Sequence, residues 1–485
     1  MRSLIKHVFL FALYGVIFSV AGAVTLFIYQ LQDRPDLRPW HEARIDEEFT
    51  ASRKETIRSF ADYLALEQRV FAQVQSRVYD RVEERDRRLL TRYHQGSLSD
   101  PQVQERDWNR SFEWPAKDPR GGVLLLHGLS DSPYSMRTLA EQFQRMGFWV
   151  VGIRLPGHGT APSGLVNVTW QDFGAATEMA AGHVRKQVDA DKPFYIVGYS
   201  TGAALAVEYS LSVLLGKDNP MPAGLILLSP SIGVTPLAKF AVWQSRLSML
   251  PGLEKLAWES IGPEFDPFKY KSFAVNAGDQ IYQLTEAIGE HIERLDRGNG
   301  VTDFPRVLAF QSVVDATVAT PALISGLFDR LAPEGHELVL FDINRYAEVE
   351  PVLVSNPAAT TRGLLENRSL PFTLTVVTNV SKESNALTAR QKQAQSAIVT
   401  DTPLTMSWPE NVFSLSHVAL PFPPDDPLYG AHADPTHPGI HLGRIDVLGE
   451  RGLLLFPADE VIRLRYNPFY SYIEQRVGQF VASPH

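Results

Sequence analysis

The chain contains no cysteine. That excludes disulfides, thiol nucleophiles and cysteine-rich zinc sites together, and it leaves the redox compartment open. A basic stripe is missing as well: 46 Lys and Arg stand against 55 Asp and Glu, and the net charge of −9 is spread along the chain. Nucleic-acid binding needs a concentrated positive face, so no nucleic-acid partner is expected. Internal repeats and low-complexity tracts are also absent, which argues against solenoids and disordered arrays. The hydrophobic and charged fractions, 44% and 21%, are those of a globular protein. At 485 residues the chain is long for one core, so a large domain with accessory segments is the natural prior.

One long stretch lacks charge altogether. Val8 to Tyr29 reads VFLFALYGVIFSVAGAVTLFIY, preceded by Arg2 and Lys6. As a helix it would extend about 33 Å, enough to cross a bilayer. A cleaved signal peptide is the rival reading, with Ala21-Gly22-Ala23 as its small-residue site. Apolar residues continue past that site through Tyr29, which suits an uncleaved anchor better. The expectation is a single-pass transmembrane anchor over residues 1–30. Its short basic N-terminus suggests N-in, with the bulk of the chain periplasmic or otherwise extracytoplasmic. Asp46 to Tyr93, by contrast, lacks both Gly and Pro. Ile57, Phe60, Leu64, Val70, Phe71 and Val74 recur there at helix-like spacing. Residues 31–115 therefore read as a helical stalk or brace, a solvated spacer helix being the simpler form.

From Gly121 onward, apolar runs alternate with helical patterns, which predicts α/β architecture with a mostly parallel, helix-covered sheet over 116–485. Strands are expected at Gly122–Leu126, Phe148–Ile153, Phe194–Val197, Ala223–Leu228, Arg306–Phe310 and Glu337–Phe341. Residues 231–303 are too long and apolar for a plain loop, with Trp243, Trp258, Phe265, Phe268 and Tyr270 among them. They are expected to form a helical cap over the strand ends.

Within this alternation, Gly198-Tyr199-Ser200-Thr201-Gly202 joins a β-branched run to an alanine-rich one. That is strand, tight turn and helix, and it lifts the Ser200 hydroxyl above the sheet at a helix N-terminus. An activated serine needs a base and a group that orients the base. Asp315 follows the strand at Arg306–Phe310 and so belongs on the same rim; Asp342, one strand later, is the alternative. With the order Ser, Asp, His, the candidate bases are His336, His417, His432, His437, His441 and His485. His417 sits in a loop-like, apolar setting and is the assigned base. His432, His437 and His441 in AHADPTHPGIH lack a carboxylate cluster beyond Asp434, so a solvated loop is expected there rather than a metal site. The backbone N–H groups of Thr201 and Leu129 are the expected oxyanion donors, Gly128 allowing the turn that aims the second.

Four motifs together, HGLSDSP (His127 to Pro133), RLPGHGTAP (Arg154 to Pro162), GYSTG and Ser312-x-x-Asp315-x-x-Val318, resemble the α/β-hydrolase superfamily. The nearest branch is that of monoacylglycerol lipases, carboxylesterases and serine aminopeptidase-like hydrolases. The resemblance implies ester or amide hydrolysis through an acyl-enzyme, with no metal or organic cofactor. It also gives His127 and His158 loop-shaping roles rather than that of the base. Residues 344–416 depart from the pattern as a long insertion before His417, with a strand-like run at Phe372–Thr378. An anchor and an apolar cap point to a small acyl ester or lipid substrate such as monoacylglycerol or lysophospholipid. A peptidase gripping an amino terminus through Glu259, Glu264 or Asp266 is the rival enzyme, and a tethered non-catalytic binding protein is the rival class.

Overall fold

Short runs of Val, Leu and Ile, buried on both faces, form the strands that position everything else. In the computed structural model the described residues are all except 1, 88–89, 234–246, 249, 348–352, 354–355, 434–435, 437–438, 444–457 and 484–485. In chain order the strands are β1 (Phe112–Trp114), β2 (Gly122–Leu126), β3 (Trp149–Ile153), β4 (Phe194–Tyr199) and β5 (Gly224–Leu228). They continue as β6 (Trp258–Ser260), β7 (Phe273–Ala274), β8 (Arg306–Ser312), β9 (Glu337–Phe341), β10 (Thr373–Asn379), β11 (Ala386–Lys392) and β12 (Val399–Ser407). Ten of them make one sheet in the order β1-β3-β2-β4-β5-β8-β9-β10-β11-β12. The run from β3 to β10 is parallel, while β1 and the β11–β12 hairpin pair antiparallel at the two edges.

Alternate residues of each strand feed two cores. Leu124, Leu126 and Ile196 face the helices Trp170–Lys186, Thr201–Leu214 and Val275–Leu295. Val123, Leu125 and Val197 face Arg137–Arg145 and Tyr470–Ala482.

The accessory regions add to the sequence reading or depart from it. Residues 344–416 hold β10, at the strand-like run Phe372–Thr378, together with β11 and β12, and all three widen the main sheet. In the expected cap, Trp243 lies outside the described residues. The described part pairs β6 with β7 and sends the Val275–Leu295 helix down against Thr201–Leu214. Trp258, Phe265, Phe268 and Tyr270 are all buried, so they fill packing space rather than line a groove.

At the N-terminus, Arg2–Gln32 is one helix, and Phe9, Phe11 and Phe18 on it are exposed. Crossing a bilayer takes about 20 consecutive apolar residues, and among the described residues no helix is long and apolar enough to do so. The expected transmembrane anchor over 1–30 is corrected accordingly. The membrane partner and the extracytoplasmic placement, which both depended on that anchor, fall with it. The chain just after this helix belongs to the body of the protein: the Arg34 guanidinium donates to the carbonyls of Lys255, Trp258 and Glu259 at 2.7–3.0 Å.

The Phe60–Arg77 helix is a brace, not a solvated spacer. Ser59 caps it, and Phe60, Tyr63, Leu66 and Val70 enter the main core. Beneath it the buried Arg154 guanidinium donates to Glu67 at 2.9 Å and to both oxygens of Glu48 at 2.9 Å. Burial pushes Glu48 up, but the Arg154 charge and hydrogen bonds outweigh it and hold the carboxyl below its ordinary value. For Glu67 burial wins, and the carboxyl sits above its ordinary value. Removing the cation would leave two buried carboxyls with backbone and Ser111 hydrogen bonds but no countercharge. Arg154→Met is therefore expected to lose about 3–5 kcal/mol of stability, read as a lower urea midpoint. An unchanged midpoint would mean that the brace is not seated on Arg154.

Candidate functional site

Register brings the ends of β4 and β5 level with Phe310, two residues before the end of β8. Tyr199 of β4 pairs with Leu228 of β5, and Leu228 pairs with Phe310 of β8. The ladder continues past the strand ends, with Ser200 N–H donating to Leu228 O at 2.8 Å and Ser229 N–H to Phe310 O at 2.8 Å. The turns leaving these strands therefore share one rim: Ser200 after β4, Ser229 to Ser231 after β5, and Asp315 after β8.

Ser200 is held at φ 53°, a left-handed conformation uncommon for a non-glycine residue, and it opens the helix Thr201–Leu214. The turn is crowded. A Cβ on Gly202 would strike the carbonyl oxygen of Leu126, and one on Gly198 would strike the backbone of Ala203. Glycine is thus required at both places.

His417, in the short helical turn His417–Ala419, comes from far along the chain. Two ties hold its loop to the strand ends: Ser312 Oγ donates to Leu415 O at 2.8 Å, and Asn344 Nδ2 donates to Val412 O at 2.9 Å. The ring then spans Ser200 and Asp315. Its Nε2 lies 3.0 Å from Ser200 Oγ and its Nδ1 lies 2.8 Å from Asp315 Oδ2. All three side chains are buried. The other Asp315 oxygen accepts from the backbone N–H groups of Thr317 and Val318 at 2.8 and 3.0 Å. Burial pushes the Asp315 carboxyl up, but the His417 charge, its hydrogen bond and the two amides outweigh burial and lower it. Asp342, the alternative acid, is taken up by Arg345, which donates to both of its oxygens at 2.9 Å.

On the other side of β4, the loop after β2 carries Leu129. Leu126 pairs with Gly198, so this loop runs beside the elbow. Leu129 is half-buried, and Thr201 begins a helix whose first N–H groups have no partner within the helix. His127 accepts from Leu155 N–H at Nε2 (3.0 Å) and sits 2.8 Å from Gly128 O at Nδ1. Burial drives His127 well below its ordinary value and His158 to about 4. In the same loop the Asp131 carboxylate accepts from Lys269 Nζ at 2.9 Å on both oxygens.

The remaining candidates lie elsewhere. His336 is buried at the opposite end of β9 and lowered by burial to about 4. His432 is exposed, while His437 and His485 lie outside the described residues, as does Asp434. Among the described residues no group of three or more His, Cys, Asp or Glu side chains is placed to hold a metal ion. Glu264 is fully buried and accepts from the Lys271 and Ser272 amides, and Asp266 accepts from Tyr429 Oη at 2.7 Å. Glu259 is exposed. One residue in direct contact with the Ser200 hydroxyl was missed: Ser231, whose Oγ is 2.9 Å from Ser200 Oγ. It belongs to no motif, and only strand register could have pointed to it.

The family described as serine aminopeptidase, S33, matches residues 117–260, well under half of the chain. The thermostable monoacylglycerol lipase of Bacillus sp. (strain H-257) is 29% identical over 117 residues, covering 24% of this chain and 43% of that protein. Phospholipase YtpA of Bacillus subtilis (strain 168) is 29% identical over 137 residues, covering 25% of this chain and 45% of that protein. The match thus spans less than half the length of either relative. Among solved structures, the Paleococcus ferrophilus monoacylglycerol lipase is 18% identical, covering 48% of this chain and 88% of that chain at a TM-score of 0.36. The parallel sheet, the strand–elbow–helix turn and the family match make the fold that of an α/β hydrolase.

The lowered Asp315 carboxyl has a consequence for stability. Its charge contributes stability that is fully present above the unfolded aspartate value and lost as pH falls through the lower folded value. The stability gap between wild type and Asp315→Asn is thus expected to be widest near neutral pH and to narrow below about pH 4. Urea titrations across that range check it. A gap independent of pH would contradict the assigned hydrogen bonds to the Asp315 carboxylate.

Proposed function

We propose that the protein is a serine hydrolase that cleaves carboxylic esters through an acyl-enzyme on Ser200. The substrate class we propose is a lipid-like acyl ester, such as a monoacylglycerol or lysophospholipid. One observation carries the mechanism: the His417 ring sits within hydrogen-bond distance of both Ser200 Oγ and Asp315 Oδ2. With Nδ1–H donating to the Asp315 carboxylate, Nε2 is left to take the Ser200 proton as Oγ bonds the acyl carbonyl carbon. The carbonyl π pair moves onto its oxygen, stabilised by the Leu129 and Thr201 N–H groups. Collapse expels the alcohol, which takes the proton from His417. Water then repeats the cycle on the ester, and Oγ leaves with the returned proton. No step calls for a metal or an organic cofactor.

The lipid class rests on the named activities of the two Bacillus relatives. The aromatic residues of the 231–303 segment, being buried, lend it no support. Glu264 and Asp266, also buried and already hydrogen-bonded, are not free to grip a peptide amine.

The experiment is a kcat/KM panel over p-nitrophenyl acetate to palmitate, monooleoylglycerol, lysophosphatidylcholine and aminoacyl p-nitroanilides. Ester turnover is expected to rise with acyl length and to fall on the order of 10⁴- to 10⁶-fold in Ser200→Ala and His417→Ala. Anilides cleaved faster than esters would make it an amidase. Equal rates on short and long esters would remove the lipid class. A folded protein with no turnover would make it a binding protein.

A further inference from the structure

Ser231 is tied to the elbow twice. Its backbone N–H donates to Ser200 O at 3.1 Å, and its hydroxyl lies 2.9 Å from Ser200 Oγ. The chain reaches this position through Ser229, at φ 42°, and Pro230, so the turn after β5 is fixed by backbone conformation. Thr285 Oγ1 on the Val275–Leu295 helix holds the Ser231 carbonyl from above at 3.3 Å. The residue is buried. Since β4 lies between β2 and β5 in the sheet, Ser231 meets the nucleophile from the side opposite the loop that carries Leu129.

Proton counting decides the direction of the contact. In the neutral ring that can act as a base, Nδ1–H donates to the Asp315 carboxylate, so Nε2 is an acceptor and takes the hydroxyl proton of Ser200. The short Ser200–Ser231 contact is therefore made with the proton of Ser231. Around Ser200 Oγ, three of four tetrahedral positions are then occupied: Cβ, the proton directed to His417, and a lone pair capped by Ser231. One lone pair remains to meet a carbonyl.

We propose that Ser231 is a further catalytic residue, a hydroxyl donor to the nucleophilic oxygen that directs its attacking lone pair and stabilises that oxygen as it departs in deacylation. This rests on the reading of Ser200 as the nucleophile. The two halves of the reaction use the donor differently. In acylation Oγ gives electron density to the carbonyl carbon, so a donor on Oγ weakens the attack while orienting it, and the two effects oppose each other. In deacylation, water attacks the acyl carbon and loses its proton to His417 Nε2. The C–Oγ bond then breaks, Oγ keeps the electron pair, and the His417 proton passes to it. Negative charge grows on Oγ in that step, and the Ser231 hydrogen bond strengthens with it.

The test uses p-nitrophenyl N,N-dimethylcarbamate, because carbamylation and decarbamylation can be timed separately. Release of p-nitrophenol times the first, and the return of p-nitrophenyl butyrate hydrolysis after dilution times the second. Ser231→Ala is expected to slow decarbamylation about tenfold while changing carbamylation less than about threefold, and Ser231→Thr to restore the wild-type rate. Slowing of both steps by the same factor, an unchanged decarbamylation rate, or a threonine variant as slow as the alanine one would overturn the assignment. A wild-type protein that is neither carbamylated nor active on p-nitrophenyl butyrate would instead defeat the underlying reading of Ser200.

Discussion

The site depends on strand register. Because the ends of β4 and β5 lie level with Phe310, two residues before the end of β8, a serine, a second serine and an aspartate from three separate stretches of chain reach one rim. A parallel sheet fixes that level through backbone hydrogen bonds alone, and here the ladder runs on past the strand ends into the functional turns. A slip of one residue in β8 would move Asp315 along the rim by roughly 3 Å, more than a hydrogen bond can follow. The His417 loop has no strand to align it and relies instead on the ends of β8 and β9, through Ser312 and Asn344.

The brace extends the same logic to the loop after β2. Glu48 and Glu67 hold Arg154, the residue after Arg154 donates to His127, and His127 in turn contacts the carbonyl of Gly128. The loop carrying Leu129 is thus backed by buried hydrogen bonds that begin in the N-terminal brace. Burying three charges is costly unless each is paired, and Arg154 meets that requirement with five donors in a fixed fork. Packing of Phe60, Tyr63, Leu66 and Val70 then covers the cluster.

Much of this was legible from residues alone. Strand–turn–helix around Ser200 follows from two glycines and a change of apolar period, and the central strands follow from short β-branched runs. Asp315 and His417 could be named as candidates because the fold orders them after the serine on one rim. Within 344–416 the run at Phe372–Thr378 pointed to β10, but β11 and β12 were not legible: they are half polar, as strands near a sheet edge are, and so leave a weak pattern. Trp258, Phe265, Phe268 and Tyr270 misled, since apolarity does not say whether a side chain lines a cavity or fills one. Residues 8–29 misled in the same manner, composition alone suggesting a membrane span that the described helix does not supply. Ser231 left no trace because its role comes from the pairing of β4 with β5, not from its neighbours in sequence.

If its rim partners make the hydroxyl of Ser200 nucleophilic, that oxygen should react with an electrophile that labels no ordinary serine. The most direct measurement is the intact mass of the protein after incubation with a fluorophosphonate, followed by peptide mapping. One adduct per chain is expected, located on Ser200 and absent in Ser200→Ala. A folded protein with no adduct, or an adduct on another residue, would contradict the assignment.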